Sequence, residues 1–112
     1  MRGSAFSLRA IRLLHTVVWA LLVAVIIAIP ITAWRGQYGL FALMTGIILV
    51  EVAVLVTNGY RCPLTNVAAR YTDDRSDNFD IYLPLTIARY NKQIFGTLFV
   101  AGVLVGIAKA LI

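Results

Sequence analysis

Three stretches of this chain run for about twenty residues with almost no charge, and no other feature restricts its fold as strongly. The first goes from Leu13 to Trp34 without a formal charge. The second goes from Leu40 to Asn58 and is interrupted only by Glu51, and the third goes from Ile94 to Ile112 with Lys109 close enough to its end to snorkel. At about 1.5 Å per residue, such runs approach the roughly 30 Å of a bilayer's hydrocarbon core. They are continuous rather than periodic, so they do not describe half-buried surface helices or strands. With 61% hydrophobic residues against 13% charged, the chain has no polar surface to spare for a soluble domain. The expected class is all-α: one integral membrane domain with transmembrane helices over 13–34, 40–58 and 94–112, in contact with the lipid bilayer.

Arg2, Arg9 and Arg12 before the first run resemble the start of a signal peptide. The run is too long for a usual signal core, however, and Ile31-Thr32-Ala33-Trp34 is a poor cleavage site, so an uncleaved first span is expected. Arg35-Gly36-Gln37-Tyr38-Gly39 then reads as a hairpin at the interface, with Trp34 and Tyr38 as aromatic anchors. The polar region is 59–93. Its aspartates Asp73, Asp74, Asp77 and Asp80 lie among Arg70 and Arg75 and read as a solvated loop, without the glycine and terminal glutamate of an EF-hand. The mixed apolar, aromatic and basic stretch from Ile81 to Lys92 is expected to form a helix lying at the interface and leading into the third span.

The net charge of +5 raises the question of nucleic acid, but the basic residues flank the apolar runs instead of forming a patch, and no nucleic-acid partner is expected. Their distribution sets an orientation. Arg2, Arg9 and Arg12 in the tail, with Arg61, Arg70, Arg75, Arg89 and Lys92 in the long loop, stand eight against two, Arg35 and Lys109. The positive-inside rule then places the N-terminus and the 59–93 loop in the cytoplasm. The lone Cys62 excludes an intramolecular disulfide.

Lipid removes the hydrophobic drive for helix association, so small residues that allow close approach matter more. The first span offers Ala20, Ala24 and Ala28 between Thr16 and Thr32 at four-residue steps; the second offers Ala42 and Gly46; the third offers Gly102 and Gly106 before Ala110. These faces suit packing within the chain, in a homo-oligomer or in a larger membrane complex.

Among polar residues, Glu51 is the most informative. A carboxyl inside a span is disfavoured by about 3 kcal/mol on insertion scales, so it is expected to face protein or water. It reads either as a proton- or cation-linked group or as a packing determinant. If the second helix continues past Asn58, then Glu51, Asn58 and Cys62 share a face, and His15 lies at a similar depth on the first span. A polar cluster of His15, Glu51, Asn58 and Cys62 is the candidate functional site. One His and one Cys are too few for a metal site, and no metal or cofactor is expected. Cys62 beside a span is also a candidate for palmitoylation. No phosphate-cradling glycine loop, nucleophile elbow or HExxH helix is present, and no enzymatic activity is expected.

The Cys62-Pro63-Leu64-Thr65 loop resembles that of a family of small bacterial inner-membrane proteins defined by a domain of unknown function. His15 early in the first span, Glu51 late in the second, Tyr60 before the loop and Ile81-Tyr82-Leu83-Pro84 before the last helix match that pattern, whereas Ala68 stands where the family carries an acidic residue. The resemblance implies the topology and a bacterial inner-membrane location, and no activity. The functional expectation is a non-enzymatic accessory or assembly subunit that packs through its small-residue faces. The alternative is a small oligomeric proton- or cation-coupled transporter centred on Glu51.

Overall fold

The computed structural model describes residues 2–112, with side chains from Phe6 onward. The side chain of Arg2, one of the charges that set the orientation, therefore lies outside the described set. Four helices follow in order: α1 (Arg2–Trp34), α2 (Tyr38–Thr57), α3 (Pro63–Ala68) and α4 (Leu85–Leu111). Three of these, α1, α2 and α4, are long and apolar enough to cross a membrane. The chain is an all-helical protein of the membrane class.

The helix ends follow local chemistry. Both α1 and α2 close on a glycine in the left-handed region, Gly36 (φ 75°) and Gly59 (φ 66°), which lets the next amide reach back into the helix. Gln37 N donates to Thr32 O at 2.8 Å after the first, and Tyr60 N donates to Leu55 O at 2.6 Å after the second. This stop has a consequence for the expected cluster. The second helix does not run on to Cys62, so the shared helical face of Glu51, Asn58 and Cys62 does not form.

The third span also differs from expectation. Ile81 to Lys92 is not a separate interfacial helix: 81–84 is irregular, and α4 starts at Leu85 and continues unbroken. Pro84 accounts for the boundary, because its ring keeps Leu83 out of helical geometry while its own carbonyl accepts the Ala88 amide. No proline interrupts the chain after it.

The chain divides into two compact units, one comprising the residues up to Ala20 with Val54–Tyr90, the other Leu21–Ala53 with Asn91–Ile112. In the second, Ile26, Ile29 and Ile48 form a buried core, with Leu22, Val25, Phe41, Met44, Phe95, Phe99 and Val103 against it. Gly102 and Gly106 of α4 are buried. A Cβ on Gly102 would stand 3.1 Å from Pro30 Cδ, and one on Gly106 would collide with the Phe41 ring. Both glycines are thus needed for close helix approach, the arrangement lipid favours. On α1 the buried positions of this unit are Ile26, Ile29, Thr32 and Ala33; Ala24 is exposed, Ala28 half-buried, and Ala20, in the other unit, is exposed. Lys109 lies 5.6 Å from the Trp34 ring centre, a cation–π contact.

The first unit holds the polar chain. Here α3 and the segment down to Leu83 fold against the N-terminal part of α1 as a cap, with Ala68 and Ile81 buried inside it.

Candidate functional site

Pro63 at the first position of α3 carries the fixed φ that starts a helix, and Cys62 is its N-cap residue in extended geometry. The reversal that brings Cys62 there uses Gly59 and then Tyr60, whose φ of 64° is strained for a side chain with a Cβ. Asn58 secures the turn: its Nδ2 donates to Arg61 O at 2.6 Å, and its Oδ1 accepts from Asn66 Nδ2 of α3 at 3.0 Å.

Three consecutive polar positions on one face of α1 hold the other side of the cap. Arg12 Nη2 donates to Asn78 O (3.4 Å) and Ile81 O (3.3 Å), and its guanidinium stacks 4.2 Å from the Tyr82 ring centre. Thr16 Oγ1 donates to Arg12 O at 2.7 Å and accepts from Tyr82 N at 2.9 Å. Between them, His15 Nδ1 meets Asp80 O at 3.1 Å and Asp80 Oδ2 at 3.4 Å. Inside the cap, Asn78 Nδ2 donates to Leu83 O at 3.0 Å.

Asp80 is the residue that sequence reasoning missed. It was expected among the solvated aspartates, but it is 6% exposed. A carboxylate this deep must be hydrogen-bonded or paired. Burial alone would raise its pKa; the hydrogen bonds from His15 and from Thr65 Oγ1 outweigh burial and hold the carboxyl below the ordinary aspartate value. The other aspartates do lie in solvent. Asp77 pairs with Arg89 at 2.7 Å, and Asp74 Oδ1 accepts from Ser76 N and Oγ, which lowers its pKa.

The chemistry of the His15 ring follows from its neighbours. Both atoms facing Nδ1 are acceptors, so Nδ1 carries a proton. The Cys62 thiol at the start of α3 is half-buried. The site is therefore a row: Thr65 on Asp80 and Asp80 on His15. Of the four expected residues, His15 lies in this row, Cys62 caps the start of α3, and Asn58 holds the turn before it. Glu51 lies in α2 within the other unit, half-buried and not without a partner. Among the described residues no three His, Cys, Asp or Glu side chains are arranged to hold a metal ion. The signal that marked Asp80 is slight: it alone of the four aspartates directly precedes an apolar stretch, Ile81-Tyr82-Leu83.

No protein-family model, curated protein or solved structure matches the chain, so the site's meaning rests on this geometry.

Proposed function

We propose that the chain is a non-enzymatic accessory or assembly subunit of a bacterial inner membrane, with its N-terminus and polar cap on the cytoplasmic side. The observation that carries this reading is on α2. Only 6% of that helix's apolar window is buried within the chain, and a Cβ on Gly39 or Gly46 would meet nothing within 4 Å. Seven residues apart, the two glycines share one helix face. Such a face offers little dispersion contact to lipid and admits the backbone of another helix, so it supports packing against a second copy or a larger membrane complex.

The polar residues of the first unit are engaged in holding the cap, which favours an assembly role over a transport path through them. The eight-to-two distribution of basic residues supports the orientation. Blue-native electrophoresis in mild detergent tests the reading. A species larger than the monomer, or a co-purifying membrane protein, is expected; a strictly monomeric species without a partner refutes it.

A further inference from the structure

We propose that the outer face of α4 holds one anionic phospholipid, its phosphate on Lys92 and one acyl chain in the groove that leads away from it. This groove, about 610 Å³, follows a single face of the helix from Lys92 to Leu104. Phe95, Phe99 and Val103 of α4 pack on the core, and Gly102 and Gly106 are buried, so the grooved face points away from it. The concavity comes from Gly96, where a Cβ would meet nothing within 4 Å, and from the small Ala101. Val100 and Leu104 line the rest and are exposed. Thr97 is the single polar side chain along this apolar part. Its Oγ1 donates to Gln93 O at 2.6 Å, so it needs nothing polar from an occupant.

The two ends of the groove differ in chemistry. At one, Lys92 and Gln93 offer an ammonium and an amide, both donors. Lys92 is exposed and has no ion pair among the described residues, whereas Arg89, one turn earlier, is paired with Asp77. Lys92 is also the last charge before Lys109, so it marks the depth at which the span leaves the headgroups. Beyond Gly96 the groove offers only hydrocarbon contact. A cation followed by an apolar trough matches the order of an anionic lipid's own parts, with a charge-assisted hydrogen bond to its phosphate.

Length and charge select a lipid over another helix. From Gly96 to Leu104 the groove runs about 12 Å, within the roughly 15 Å of one leaflet's hydrocarbon. A helix crossing the membrane would need a face that continues to the far side, and this one stops short of the end of α4 at Leu111. A parallel second copy, related by a two-fold axis along this face, would set its Lys92 against this one, which like charge opposes. The inference rests neither on the orientation of the chain nor on assembly through α2.

The test adds equal amounts of phosphatidylglycerol and phosphatidylcholine, with matched acyl chains, to the full chain in mild detergent. Native mass spectrometry then reads the lipid retained. The wild type should keep one phosphatidylglycerol in about fivefold preference over phosphatidylcholine, the effect of one well-placed cation. Lys92→Gln should lose the preference, and Lys109→Gln, at the far end of α4, should keep it. Gly96→Leu fills the groove at an open position, so it should melt no lower than the wild type and lose most of the bound lipid. Equal retention of the two lipids by the wild type overturns the proposal. So does a preference that survives Lys92→Gln or disappears with Lys109→Gln, or a Gly96→Leu chain that binds lipid as the wild type does. Loss of a second copy from Gly96→Leu with the lipid retained would assign the groove to another chain and equally overturn it.

Discussion

His15 and Asp80, 65 positions apart, meet through one ring nitrogen that faces both the backbone oxygen and the carboxylate of the aspartate, at 3.1 and 3.4 Å. The double contact fixes the aspartate's backbone as well as its side chain, so the loop is registered on α1 at this point. Arg12 and Thr16, on either side of His15, grip the neighbouring residues Ile81 and Tyr82.

Breaking this contact should loosen the cap selectively. Asp80→Ala is expected to lower the cap's stability by about 2 kcal/mol, since hydrogen bonds to a buried charge are removed: Thr65 loses its acceptor and His15 keeps only the backbone oxygen. His15→Ala should do the same, and the double variant should cost less than the two single effects added together. Amide hydrogen exchange over 62–84 measures it. Additive effects would show that the two residues act separately.

The cap should also respond to acid in a direction set by Asp80. Its folded pKa is depressed by its hydrogen bonds, so its contribution is fully present above the unfolded value, about 3.9, and is lost as pH falls through the lower folded value. The difference in exchange protection between wild type and Asp80→Asn should shrink as pH falls below about 4. A difference that grows as pH falls below about 4 would reverse the assigned sign.

Thr16 makes a smaller, local contribution. Thr16→Val removes the acceptor for Tyr82 N and should raise exchange near Tyr82 by an amount worth about 1 kcal/mol, leaving α1 helical. Circular dichroism and residue-level exchange separate the two outcomes.

The parts of this fold that were legible in the sequence are those that lipid dictates. Uncharged runs of spanning length announce α1, α2 and α4, because a bilayer tolerates little else over such a length. Gly102 and Gly106 stood out for the same reason, as close contacts replace the hydrophobic drive. What escaped was non-local. Asp80 looks like its three solvated neighbours until α1 supplies His15, and no period links residues 65 apart. The composition of Ile81–Lys92 suits an interfacial helix, but Pro84 sets the boundary and α4 starts at Leu85. The face shared by Glu51, Asn58 and Cys62 failed on Gly59, whose left-handed backbone ends α2 before Cys62.

Orientation is open to a direct probe through the lone thiol. If the cap faces the cytoplasm as proposed, a membrane-impermeant maleimide should leave Cys62 unlabelled in intact cells and label it after permeabilisation. Labelling in intact cells would place it on the opposite face.

The assembly role is tested most directly by native mass spectrometry of three chains in mild detergent: wild type, Gly46→Leu and Gly106→Leu. Gly106→Leu should lower thermal stability, because its side chain collides with Phe41 inside the chain. Gly46→Leu meets open space at its Cβ, so it should melt like the wild type yet lose the partner or second copy that the wild type retains. A Gly46→Leu chain that assembles as fully as the wild type would contradict the account.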